Sequence, residues 1–414
     1  MSATQSGHRL ARRLTVYAMV AGGLQVLALV IWGIRFYVLN DWSAPMLGYD
    51  FSVFWSAARV AVEHHAAAVF SAQWMQPMEE SLRHQIGYSP WPYPPTFLLA
   101  VLLFGLLPFG AALILYFVLG LSVYAVMLAR ISRSLDRAWL AWLAAFPGVP
   151  VALGLGQNSL LTVSAAGAAL ALLETHAGLA GVCIAVLGIK PQLGVLFPLA
   201  LVCGRQWKAL IAASLCMLAF VAGSVAVCGV DAWRAFAAYL PEFSRIAVEQ
   251  GGREMWLGMP TVFAIGRSLG LPVSVAYGVH GLVAAPAVMV MAFLWVKRAR
   301  FELRATAFVV ATLLMQPYVM FYDLVWLILP IVFLMRDARV QPLNRLEWVL
   351  LVAAWLAPVQ GVLAAYIGRY LQVLPVVLVA LLVIAMRRYL ASTATHTQSA
   401  NGLVEHAASA SPLV

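Results

Sequence analysis

Apolar runs long enough to cross a membrane recur along nearly the whole chain, and its few charges collect in the breaks between them. The first run, Leu14 to Leu39, follows Arg9, Arg12 and Arg13. It is too long for a signal-peptide core and lacks a small-x-small cleavage site, so it reads as a retained signal anchor. Later runs fall near 109–129, 138–155, 158–174, 178–190, 192–204, 209–229, 272–296, 304–316, 322–335, 348–366 and 371–386. With 14–38 they predict about twelve transmembrane helices and an all-α polytopic membrane protein. Barrel strands would instead alternate apolar and polar residues in short segments. No internal repeat accompanies the runs.

Basic residues cluster at Arg9/Arg12/Arg13, Arg130/Arg133/Arg137, Arg205/Lys208, Lys297/Arg298/Arg300/Arg304, Arg336/Arg339/Arg345 and Arg387/Arg388. The positive-inside rule asks that all of them be cytoplasmic. That demand decides how to read 93–107 and 109–129, two apolar stretches divided by Leu-Pro-Phe-Gly. If both crossed, Arg130 to Arg137 would face outward and every later cluster would flip. As a helix, 93–107 reaches only about 22 Å against a hydrocarbon core of about 30 Å, although 178–189 and 192–203 are also short. Charge settles the choice. Residues 93–107 are expected to dip into the outer leaflet without crossing, with both termini cytoplasmic.

Composition narrows the class further. Hydrophobic residues make up 63% and charged residues 10% of the chain, whereas a soluble globule carries about 25% charged residues. The net charge of +10 sits in short inter-helix loops, as topology determinants do, and no nucleic-acid partner is indicated. Cys183, Cys203, Cys216 and Cys228 lie in or beside apolar runs, so neither a disulfide framework nor a zinc site is indicated. A single membrane domain is expected over 14–390, after a cytoplasmic tail of residues 1–13. Residues 391–414 are small and polar, and are expected to form a disordered cytoplasmic tail.

Two outer loops are long. Residues 40–92 hold Asp41, Asp50, Glu63, Glu79 and Glu80 with Arg59 and Arg83. Within them Phe51, Phe54, Trp55, Ala58 and Val62 share one face at helical spacing. This predicts an amphipathic helix along the membrane surface, starting just after Asp50. The second loop, 230–271, intersperses Arg234, Glu242, Arg245, Glu249, Arg253 and Glu254 with aromatics, and reads as another interfacial helical layer.

This topology gathers several unusual groups at the outer surface. Asp50 is a lone carboxylate in Gly-Tyr-Asp-Phe-Ser-Val-Phe-Trp (48–55), at the lip of a span. It is either a solvated loop acid or a proton acceptor. Trp-Pro-Tyr-Pro-Pro (91–95), with Tyr93, keeps the chain extended before a short helix. Gln157 and Asn158, in Gly-Leu-Gly-Gln-Asn-Ser (154–159), either cap the following helix or face a ligand. Lys190, in Gly-Ile-Lys-Pro-Gln (188–192), is the only lysine or arginine between Arg137 and Arg205, on the side the rule disfavours. It either snorkels or, as an uncompensated cation, meets an anion such as phosphate. Gln-Pro-Tyr-Val-Met-Phe-Tyr-Asp (316–323) adds Tyr322 and Asp323, which could equally be an interfacial anchor and a helix N-terminal charge. His64 and His65 have no carboxylate or cysteine at ligand spacing. Amides and aromatics suit a sugar, and the cation suits a phosphate leaving group.

In this order, the motifs resemble glycosyltransferase family 87, whose members have the GT-C membrane fold. Asp-Phe-x-x-Phe-Trp-x-Ala-Ala (50–58) is similar to its first-loop signature. Tyr-Pro-Pro (93–95), with an apolar run ending in Leu-Pro-Phe, is similar to its next segment. Gly-Gln-Asn-Ser-Leu-Leu (156–161), Leu-Ala-Gly (179–181) and Ile-Lys-Pro (189–191) resemble its central block. The resemblance implies a mannosyltransferase that uses polyprenyl-phosphate mannose on the outer face, as in mycobacterial phosphatidylinositol mannoside synthesis, with Asp50 at the position of the catalytic base. It departs at 316–323, where the family has a Trp/His-rich motif, and this leaves acceptor and sugar open.

The expected function is therefore transfer of a hexose, with mannose implied by the resemblance, from a polyprenyl phosphate to a lipid or glycan acceptor hydroxyl. The setting would be the extracytoplasmic face of the inner membrane. Asp50 would be the general base of an inverting reaction, Lys190 with Arg253 would bind the donor phosphate, and Trp55, Tyr93, Gln157, Asn158, Tyr322 and Asp323 would bind sugar and acceptor. No cofactor and no metal are expected, since neither outer loop holds an Asp-x-Asp pair and phosphate leaves readily. The polyprenyl tail would lie between spans, among membrane lipids. A lipid or solute transporter, or an assembly partner without catalysis, are the alternatives. Transporters, however, show repeated halves and polar groups near the midplane.

Overall fold

The computed structural model describes residues 3–41, 43–82, 88–367 and 372–409, and all regular structure among them is helical. Helix α1 (Ala3–Gly33) leads into a surface layer of α2 (Tyr49–Glu63), α3 (Ala72–Leu82) and α4 (Pro95–Val101), the last extended by a 3-10 turn to Leu106. Then come α5 (Phe109–Ile131), α6 (Arg137–Ala144), α7 (Gly148–Leu155), α8 (Ser159–Leu172), α9 (Ala177–Val186) and α10 (Leu196–Cys203). The long α11 (Trp207–Phe243) bends at Gly229, where φ is +80°, the residue at which its apolar run ends. Short helices α12 (Gly252–Leu257) and α13 (Val262–Ser268) precede α14 (Val273–Val296), α15 (Phe301–Met315), α16 (Ile328–Asp337), α17 (Arg345–Ile367) and α18 (Leu374–Ser409). Among the described residues, six helices are long and apolar enough to cross a membrane. Between them lie shorter apolar helices, some of them enclosed by protein. In α15 and α16, for example, Phe308, Leu329 and Phe333 are fully buried.

The connections between helices gather at two ends. At one end stand Asp50, Gln157, Lys190 and Asp323, treated below. At the other, Arg336 pairs with Glu302 (2.8 Å) and donates to the Ile131 carbonyl (3.5 Å), while Arg304 pairs with Glu174 (2.8 Å). Arg388 is buried there between Asp337 (2.6 Å) and Glu347 (3.1 Å), which fixes α18 to the core. Asn344 and Glu347 cap α17 reciprocally, each side chain accepting the other's backbone N–H. Arg130, Arg133, Arg205, Lys208, Lys297, Arg298 and Arg339 project at this end as well, unmatched by ion pairs among the described residues.

The 93–107 segment starts and finishes on the same side. Tyr93 lies beside Gln157, and the Leu107 carbonyl accepts the Trp55 indole N–H (2.9 Å). Phe109, opening α5, packs against Phe51 and Trp55 at the end that carries Asp50.

One expectation is corrected. Helix α2 is not a one-faced surface helix: Ser52, Ser56 and Ala57 are as buried as Phe51 and Phe54, whereas Val62 is exposed. α3, the α4 extension and α5 enclose it, and Ser52 satisfies its hydroxyl on its own helix through Tyr49 O (2.6 Å). Helix α18 runs on past residue 391 as far as Ser409. Arg83 lies outside the described residues.

Candidate active site

Two interlocked glycine turns build the site. Gly48 (φ +78°) opens α2 and Gly156 (φ +72°) closes α7, a backbone region that disfavours side chains. The Gly48 N–H donates to Gly154 O (2.8 Å), and a Cβ on Gly156 would come within 2.7 Å of Phe51 Cβ. This close approach sets Asp50, in the first turn of α2, beside Gln157. Gln157 Nε2 donates to Asp50 Oδ2 (2.8 Å), and its Oε1 accepts from the Asn158 backbone N–H (3.2 Å) and the Tyr93 hydroxyl (3.3 Å). With both ends of its amide held, Gln157 orients the carboxylate.

Lys190 sits between the 3-10 turns Leu187–Ile189 and Pro191–Leu193, tied to α4 by Thr96 Oγ1 donating to Gly188 O (2.6 Å). Its Nζ lies 2.7 Å from both oxygens of Asp323, and 5.0 Å from the centre of the Tyr322 ring. Ser159 Oγ donates to the same carboxylate (2.7 Å). Both side chains of the pair are 3% exposed. Lys190 is therefore not uncompensated, and Asp323 is its counter-ion.

Asp50 lines a cavity of about 380 Å³ and Lys190 one of about 280 Å³. Tyr93, Tyr318 and Tyr322 line both and form the wall between them. Burial, reinforced by Asp50, holds the Tyr93 phenol well above the usual tyrosine range; burial with Asp323 and Asp50 does the same for Tyr318. Each thus stays a neutral hydrogen-bond donor at ordinary pH. A groove of about 770 Å³, almost wholly apolar, runs from Phe97, Tyr116 and Ile189 near the site to Arg130 at the far end, between α4, α5, α8, α9 and α11.

Other expected site residues fall elsewhere. Trp55 is spent on the Leu107 carbonyl and on Phe109, and lines neither cavity. Asn158 is fully buried with both side-chain amide atoms unbonded, so it neither caps α8 nor reaches a cavity. Arg253 is exposed on α12 and lines neither cavity, although Met255 of the same helix lines that of Asp50. Sequence reasoning passed over Ser159 and Tyr318, which both stand inside motifs it had singled out. Among the described residues no three His, Cys, Asp or Glu side chains group as a metal site.

Fold and site together define a polytopic membrane protein with a carboxylate-bearing, tyrosine-walled cavity at one end of its helices. The chain belongs to glycosyltransferase family 87, whose model matches residues 91–317, and it is accordingly a membrane glycosyltransferase. No curated protein and no solved structure matches it. Tyr93, Gln157, Asn158 and Lys190 lie within the matched stretch, Asp50 precedes it, and Tyr322 and Asp323 follow it.

Proposed function

We propose that the protein transfers a hexose, mannose by its resemblance to characterised members, from a polyprenyl-phosphate sugar to an acceptor hydroxyl at the extracytoplasmic face. The observation that carries this reading is adjacency. Ile189 lines the apolar groove, the next residue, Lys190, lines a second cavity, and that cavity shares its tyrosine wall with the cavity of Asp50. A lipid tail in the groove would place its phosphate at Lys190 and its sugar toward Asp50. The acceptor oxygen then forms a bond to the anomeric carbon while Asp50 takes its proton. The bond from that carbon to the phosphate oxygen breaks, its electrons stay on the departing phosphate, and Lys190 offsets the new charge. Attack opposite the leaving group inverts the carbon.

The groove supplies the test. Ala168 lines it, well away from Asp50 and Lys190 in the fold. Ala168→Trp should raise KM severalfold for a long-chain polyprenyl-phosphate donor and leave a short-chain donor little affected. Equal KM changes for both donors would remove the groove from the reaction.

The side of the membrane is supported by the unmatched arginines and lysines at the end opposite Asp50, since such residues favour the cytoplasm. In a background without Cys183, Cys203, Cys216 and Cys228, a cysteine at Ala66 should react with an impermeant maleimide on intact spheroplasts, and one at Arg133 should not. Labelling of both would reject the orientation.

A further inference from the structure

The cation and its counter-ion are placed unequally about the cavity: Lys190 lines it, with Gln192, Ser244 and Gln316, whereas Asp323 stands behind Lys190 and lines neither cavity. A lone buried lysine would hold any phosphate more tightly the more charge it bore. Backed by a carboxylate at 2.7 Å, the lysine offers a site of no net charge in which each added negative charge also meets Asp323.

The reaction changes that charge. The donor phosphate is a diester with one negative charge; after transfer it is a monoester approaching two, because the acceptor's proton has gone to Asp50 and the broken bond's electrons to the phosphate. We infer that Asp323 is a positioning residue for product release: by balancing Lys190 it lets the cavity hold a phosphodiester monoanion but disfavours the phosphomonoester left behind. This rests on the proposed role of Lys190. Ser159, donating to Asp323, keeps the carboxylate turned toward the lysine.

The probes are farnesyl phosphate, a monoester, and its methyl ester, a diester, with farnesol as the uncharged control. The purified parent should bind the diester at least as tightly as the monoester, a measurement that needs no variant. Asp323→Asn should bind the monoester about tenfold or more tightly and the diester by clearly less, since one nearby like charge is gone. Its kcat and donor KM should fall together as release slows, with kcat/KM little changed, and Asp323→Glu should restore the parent's preference. A parent that prefers the monoester severalfold overturns the inference, as does an Asp323→Asn that weakens both probes alike, which would make Asp323 a structural anchor. Lys190→Met combined with Asp323→Asn should lose affinity for both probes and keep it for farnesol. If that double variant binds both phosphates as the parent does, the phosphate role of Lys190 fails as well.

Discussion

Asp50→Asn is expected to abolish sugar transfer while the protein still folds and binds donor. Asparagine keeps the size of the side chain and an oxygen to accept the Gln157 amide at 2.8 Å, but it cannot take a proton. Loss of a general base costs about 10²- to 10⁴-fold in rate, far more than a change at a solvated acid would. Asp41 is the internal control. It is an exposed acid in the same loop, paired with Arg35 and holding Ser43, so Asp41→Asn should leave turnover within a factor of a few. Initial rates with a polyprenyl-phosphate-mannose donor, alongside donor binding, separate the cases. Normal turnover by Asp50→Asn would remove it as base, while membership of the family would stand.

The second large effect is expected at Lys190, and the ion pair changes how it must be tested. Lys190→Met alone leaves Asp323 charged and buried without its partner, a loss that costs about 3–5 kcal/mol in comparable pairs and would confound any activity assay. Lys190→Met with Asp323→Asn removes both charges together. Relative to the parent, it should weaken donor binding about 10- to 100-fold, the worth of a charge-assisted hydrogen bond. Lys190→Arg keeps the charge but brings a larger forked group into a confined site, so its loss should be intermediate. Unchanged donor affinity in the double variant would reduce Lys190 to a packing residue.

The run of apolar segments, the reversal at 93–107 and the break at Gly229 were all legible from composition, charge and glycine, because each is local or follows from a rule about loops. The enclosure of α2 was not. Ser52 buries because its hydroxyl bonds its own helix through Tyr49 O, and only the neighbouring elements reveal that it and Ser56 are enclosed. The partnership of Lys190 with Asp323 spans 133 positions. A single sequence offers no spacing rule for it, only the general expectation that a buried charge is paired. Gln157 stands out as polar and near the chemistry, but its hydrogen bond to Asp50 depends on the contact between two left-handed glycine turns.

Because α2 is walled in by protein on most sides, the depth of Asp50 is set by its packing against α5 and the 93–107 segment, and the surrounding lipid has little hold on it. Hydrophobic mismatch with a thinner or thicker bilayer therefore acts on one side of the encounter only. It would raise or lower the headgroups of the proposed lipid-linked substrates against a carboxylate that stays where it is. Membrane thickness then becomes a control on how well substrates line up with the site, separate from the chemistry the site performs.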